Sequence, residues 1–253
     1  MTNEYILATA LMQSAVDMGC APDDFLKKEN VIVSPAENPK ARRYLKLPLF
    51  FDMASYGTNI VVSAAPEIAP FVKNYINRPD IYHAFETPSL YELNDELAKY
   101  GQRVRHMAEY FLPDIKELET AGKRNTPVLP LKVLLQSDFK DLYLPEWSNA
   151  LCSNRKELDI LGVGAYDGEK LAGLAACSAD ADEMWQIGID VLPEYRRHGL
   201  AKSLVTALAL EIISRGKVPF YCAAWSNVKS VRCAISSGFR PAWVQLSAKK
   251  ISE

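Results

Sequence analysis

Apolar residues recur along this chain in two rhythms, one at every third or fourth position and one at alternate positions, and the switches between them outline its elements. The clearest helix is Leu200 to Arg215. There Leu200, Leu204, Leu208 and Ile212 repeat at four-residue spacing, Ala201, Val205 and Ala209 widen the stripe, and Gly216 supplies the stop. A β-branched run at Met184 to Val191 and an apolar, aromatic-containing run at Pro219 to Trp225, both predicted strands, flank it. Asp159 to Tyr166 and Lys170 to Cys177 read as a hairpin across Asp167-Gly168, a pair suited to positive φ. Leu131 to Leu135 predicts a strand, Ser137-Asp138-Phe139 the capped start of a helix, and Phe239 to Ser247 a last strand. Between Trp225 and Phe239, Ser226 or Asn227 can cap a helix with Val228, Val231 and Ile235 along one face and Gly238 at its end.

The first half is less regular. Tyr5 to Met18 suits an amphipathic helix, Asp23 to Lys28 a short one, and Pro66 to Asn77 and Ser89 to Tyr100 two more. Val31 to Ser34, Asn59 to Ala64 and Arg103 to Phe111 predict strands, so this half is expected to be a small α/β layer. The polar stretch Glu119 to Pro127 reads as a linker. The expected division is a domain at 1–119, a linker at 120–130 and a second domain at 131–253.

With 253 residues and 49% hydrophobic content, the chain can bury one large or two modest cores, and its length favours two domains. Its 29 basic and 31 acidic residues are interspersed and leave a net charge of −2. No field attracts nucleic acid or an anionic membrane. Five cysteines without paired spacing, most of them in apolar runs, suggest buried thiols in a reducing cytoplasm. The three histidines lack metal-ligand spacing, so no metal is expected, and no apolar run is long enough to span a bilayer. The start of the chain has no basic region of the kind a secretory leader carries. Neither Gly-x-x-x-x-Gly-Lys nor Gly-x-Gly-x-x-Gly occurs, which disfavours a nucleotide enzyme of either kind.

Candidate chemistry gathers in Gln186 to Ala201. A strand breaks at Pro193 and re-enters as a helix through the basic turn Arg196-Arg197-His198-Gly199. Cations at a helix start oppose its dipole by up to roughly 1 kcal/mol, so the turn makes better sense as a cradle for an anion such as a pyrophosphate. Gly199 and Ala201 would let phosphates approach the main chain closely.

The spacing Arg196-x-x-Gly199-x-Ala201 after a strand ending in Val191-x-Pro193, followed by Asn227-x-x-Ser230 and Gly238-Phe239, resembles the signature of the GNAT N-acetyltransferase superfamily. Taken end to end, the chain resembles a bacterial two-domain group within it. The resemblance implies a C-terminal GNAT fold, a mixed, mostly antiparallel sheet flanked by helices, behind a smaller α/β domain. It implies acetyl-CoA as co-substrate and transfer of its acetyl group to an amine, of a small molecule or of a protein, by direct attack in a ternary complex. Asp190, Val191, Leu192, Arg196, Arg197, His198, Gly199, Leu200, Ala201, Asn227 and Ser230 would contact the coenzyme. The strands ending near Val191 and Trp225 would splay apart, with the N–H groups of Asp190 and Leu192 as candidates for the oxyanion. Asn227 also reads simply as a helix cap.

The sequence departs from the family pattern twice. Gln186 stands where some members carry a glutamate base, and Ala234 where many carry a tyrosine acid. Asp190, on the same strand face as Gln186, is the first choice as base, and equally reads as a solvated strand-end carboxylate. Tyr221 could replace the acid, or be a core residue. The alternative function is a non-catalytic acyl-CoA-binding sensor or interaction protein. The first domain is expected to wall the acceptor site, or to serve as a scaffold or a dimerisation element.

Overall fold

The computed structural model describes residues 1–78 and 82–252. The fold is α/β with mixed, mostly antiparallel pairing. It comprises two compact units, each discontinuous in sequence: Met1–Thr9 with Phe111–Pro241, and Ala10–Tyr110 with Ala242–Glu253. This differs from the division expected from composition. The end of the chain, read as part of the second domain, contributes a strand to the unit built from residues 10–110.

In that unit the strands are β1 (Val31–Val33), β2 (Phe51–Ser55), β3 (Val61–Ala64), part of β4 (Gln102–Pro113) and the second half of β10 (Phe239–Lys250). β1 pairs parallel with β3, and β2 pairs antiparallel with β3 and with Val244 to Ser247 of β10. Helices α2 (Ala69–Ile76) and α3 (Ser89–Ala98), and α1 (Asn3–Met18) from Ala10 onward, accompany them. Phe51, Met53, Val62, Ile68, Val72, Leu93, Leu97 and Leu246 form one core, and Leu11, Ala15, Met18, Phe25, Ala54 and Val61 a second. β2 was not visible in the sequence because all five of its residues are buried, Asp52 among them, which breaks the alternation of a half-buried strand. The short helix expected at Asp23 to Lys28 is a 3₁₀ turn at Pro22–Leu26.

Asp52 lies 2% exposed, with Oδ2 accepting from Gln245 Nε2 at 2.8 Å and Oδ1 lacking a partner. Burial pushes its pKa from 3.8 up to about 7, against the pull of Gln245 and Arg42. The folded protein therefore holds this proton to a higher pH than the unfolded chain does. Its contribution to stability declines as the pH rises from 3.8 to about 7 and is level above that. Asp52→Asn is expected to remove the decline. Melting curves between pH 5 and 8 check this, and equal slopes for the two proteins would refute it.

The other unit carries β5 (Leu131–Leu135), β6 (Asp159–Asp167), β7 (Lys170–Ser178), β8 (Met184–Val191) and β9 (Val218–Ala223), in sheet order β9-β8-β7-β6-β5. Helices α4 (Ile115–Arg124), α5 (Leu200–Ser214) and α6 (Val228–Ser236) belong to it. As the four-residue spacing predicts, Leu200, Leu204, Leu208 and Ile212 are buried, against Leu161, Val163, Ala172, Ala175 and Ile187 of the sheet. The opposite face buries Leu134, Leu174 and Ala176 under Phe139, Trp147 and Leu151. The helix expected from Ser137 is a single 3₁₀ turn, Gln136–Phe139, and the segment after it is held by further short turns.

One other expectation fails. Most of the supposed linker is helix: Asp114 Oδ1 accepts from Glu117 N at 3.0 Å and caps α4, whose Leu118 and Ala121 are buried. Gly122, which suggested a loop, lies in this helix because a Cβ there would stand 3.2 Å from Leu210 Cδ1 of α5. On α6, Val228 and Ile235 are 50% and 52% exposed, Val231 packs against the core, and Ala234 is fully buried. Of the five cysteines, Cys177 alone is fully buried and the rest are half-buried.

Candidate coenzyme site

The site begins where β8 and β9 part. Their parallel pairing runs from Met184–Val218 to Ile187–Tyr221 and stops there, although β8 continues to Val191. Which backbone groups face the gap follows from alternation along the strand. Leu192 N donates to Ala172 O at 3.0 Å, so the N–H groups of Leu192 and Asp190 point into β7. Glu183 O accepts from Val218 N at 2.9 Å and Val191 O from Arg196 Nε at 2.8 Å, so odd-numbered groups point the other way. The N–H groups that face the gap are therefore those of Ile189 and Val191. The N–H groups expected for the oxyanion, those of Asp190 and Leu192, face β7 instead.

The anion turn follows directly. Pro193–Tyr195 is a 3₁₀ turn, Arg196 is extended, Arg197 has φ 70° and Gly199 has φ 81°. Arg197 is the one non-glycine residue with positive φ among those described. A left-handed arginine costs about 1 to 2 kcal/mol, and strain of this kind gathers where a ligand is held. Gly199 is the N-cap of α5 and brings no side chain to its first N–H groups. Gly199 in the αL region next to the first αR residues of α5 turns successive N–H groups into one concavity, a nest for an anion. Arg196, Arg197 and His198 are exposed around it, Leu200 is buried, and Ala201 is half-buried.

At the start of α6, Asn227 Oδ1 accepts from Ser230 N at 3.3 Å, so its expected role as a helix cap is met. Ser230 Oγ lies 2.7 Å from Tyr221 Oη. Tyr221 is 3% exposed, with its ring 6.4 Å from that of Phe111 and 6.3 Å from that of Phe239. Burial pushes its hydroxyl well above the ordinary tyrosine range, which keeps it protonated.

Gln186 Nε2 lies 3.2 Å from Cys222 Sγ, across the pairing of the two strands. The Asp190 carboxylate is occupied. It accepts from Asn149 N at 2.8 Å, Ala150 N at 2.9 Å and Asn149 Nδ2 at 2.7 Å. Sequence reasoning had no means of finding Asn149 and Ala150, which lie 41 and 40 residues away in an irregular segment.

The GNAT acetyltransferase family model matches residues 53–242. The chain belongs to that family. A comparison with curated proteins found no match. Among solved structures, this GNAT protein is similar to a putative GNAT acetyltransferase from Novosphingobium aromaticivorans, with 19% identity over 58% of this chain and 66% of that one, TM-score 0.43. It is similar to a GCN5-related N-acetyltransferase-like protein from Streptococcus suis, with 20% identity over 64% and 69%, TM-score 0.46. A putative acetyltransferase from Salmonella typhimurium, solved with its cofactor acetyl-CoA, shares 14% identity over 49% of this chain and 95% of that one, TM-score 0.37. The chain thus spans just under two thirds of the length of the Novosphingobium protein. Among the described residues of this GNAT chain, no group of three or more His, Cys, Asp and Glu could hold a metal ion, and no helix is long and apolar enough to cross a membrane.

Proposed function

We propose that this protein transfers the acetyl group of acetyl-CoA to an amine. The observation that carries the reading is the parting of β8 from β9 beside the left-handed turn at Arg197 and Gly199. Acetyl-CoA supplies the activated thioester. The turn offers N–H groups and guanidinium charge to its phosphates, and the outward groups of Ile189 and Val191 are available to its amide-bearing arm. Val191 N–H is our candidate oxyanion donor, a contribution typically worth about 3 to 4 kcal/mol. Tyr221, kept protonated by burial and joined to Ser230, is our candidate donor to the departing thiolate.

Asp190 we assign to anchoring the Asn149–Ala150 segment under β8, because three donors engage its carboxylate. With Gln186 also unable to take a proton, the acceptor reacts as the free amine that solvent equilibrium provides. For an alkylamine with pKa near 10.4, turnover should then rise about tenfold per pH unit across the neutral range. Asp190→Asn is expected to leave that slope in place and to change the rate by less than about tenfold. A loss of about 10² to 10⁴ would instead mark a general base. Tyr221→Phe is expected to slow turnover by at least about tenfold while acetyl-CoA affinity holds.

The second reading, a non-catalytic acyl-CoA-binding protein, is favoured by the Gln186 contact with Cys222 and by the burial of Ala234 at the positions where relatives carry acid and base. Incubation with acetyl-CoA and a panel of amines, following free thiol, separates the two. Amine-dependent thiol release supports the enzyme, and binding without release supports the sensor.

A further inference from the structure

Resting on that coenzyme reading, we infer that the tip of the β6–β7 hairpin is a brace for the anion turn, with Lys170 and Asp167 as positioning residues. From Val191 to Lys202 the chain carries a single carboxylate, Glu194, two residues before Arg196. Lys170 Nζ donates to Glu194 Oε1 at 2.8 Å, and that bond holds the Glu194 carboxyl below its usual range. The next residue is held by the same hairpin: Tyr195 Oη donates to Asp167 Oδ2 at 2.7 Å, and Lys170 Nζ sits 5.5 Å from the Tyr195 ring centroid. The hairpin reaches these residues because its turn places Asp167 and Lys170 on either side of Gly168 and Glu169.

Both partners are about half exposed, so the ion pair contributes little to folding. Its effect is on charge and aim. Paired with Lys170, Glu194 is neutralised and turned to the hairpin. Released, it would be left to the charge of Arg196, for which it would compete with a phosphate, and an unpaired carboxylate close to a nest repels the anion the nest is shaped for.

The test is titration calorimetry with acetyl-CoA at low salt. Lys170→Met is expected to raise Kd by about three- to tenfold, and Lys170→Arg to stay near the wild type. Lys170→Met combined with Glu194→Gln is expected to restore most of the loss, which a merely structural defect would not do. Asp167→Asn, which keeps the shape of the Tyr195 contact, is expected to cost less than Asp167→Ala. An unchanged Kd in Lys170→Met, or no rescue by Glu194→Gln, would overturn the brace. Failure of the wild-type protein to bind acetyl-CoA would overturn the coenzyme reading, and the brace with it.

Discussion

Gly199→Asp is expected to abolish the thermal stabilisation that acetyl-CoA gives the wild-type protein. At about 100 times its dissociation constant, a ligand that binds only the folded state adds roughly 2.7 kcal/mol. The variant places a carboxylate at the N-cap of α5, where the coenzyme phosphates are proposed to sit. Gly199 has φ 81°, and a Cβ there would stand 3.0 Å from Lys202 Cε, the movable end of a flexible side chain. Aspartate and asparagine tolerate the left-handed region better than other side chains, so both should fold. Gly199→Asn controls for size and strain without charge, and should keep a reduced but measurable shift. A full shift in Gly199→Asp would mean that the anion turn does not hold the coenzyme.

The largest loss of stability is expected from Asp17→Ala, in the unit built mainly from residues 10–110. Arg42 is 3% exposed. Its Nε donates to Asp17 Oδ2, its main-chain N to Asp17 Oδ1 at 2.8 Å, and its other nitrogens to Tyr44 Oη at 2.8 Å and Gln245 Oε1 at 3.3 Å. The guanidinium carbon also lies 5.6 Å from the Tyr44 ring centroid and 5.8 Å from that of Tyr110. Asp17, 2% exposed, supplies the carboxylate of this pair. Removing it strands a buried positive charge, at a typical loss of about 3 to 5 kcal/mol. Asp17→Leu with Arg42→Met removes both charges and should come back to within about 2 kcal/mol of the wild type. Urea unfolding followed by circular dichroism measures both. A loss below about 1 kcal/mol for Asp17→Ala, or a double variant weaker than the single one, would contradict the reading.

The sequence made α5 legible because it repeats one period cleanly, and β6 to β9 because they are apolar or β-branched runs set off by turn residues such as Asp167-Gly168 and Pro193. The turn at Arg196 to Ala201, where we propose the coenzyme phosphates, was legible as a strand-to-helix turn for a related reason, since it is built from consecutive residues. What stayed hidden depends on partners far along the chain. β2 is buried on both faces and carries a charged residue, so neither rhythm describes it. α4 looked like a linker because Gly122 packs against Leu210 of another helix. The last strand was assigned to the wrong unit because Val244 to Ser247 pair with Asp52 to Ser55, nearly two hundred residues earlier, and nothing local records that register.

The site shows the same division. Asn227 could be read as a cap from its neighbours alone, whereas the engagement of Asp190 by Asn149 and Ala150 required the fold. Direction along β8 was the subtler error. Alternation was assigned correctly for side chains, yet which parity of N–H faces the gap depends on how β7 pairs, which Leu192 N to Ala172 O fixes.

A crystal structure of the complex with acetyl-CoA tests the central claim most directly. The account predicts the diphosphate within hydrogen-bond reach of the main-chain N–H groups between Arg197 and Ala201, and the pantetheine arm against the outward groups of Ile189 and Val191. A coenzyme bound elsewhere, with the turn at Arg197 and Gly199 empty, would contradict it.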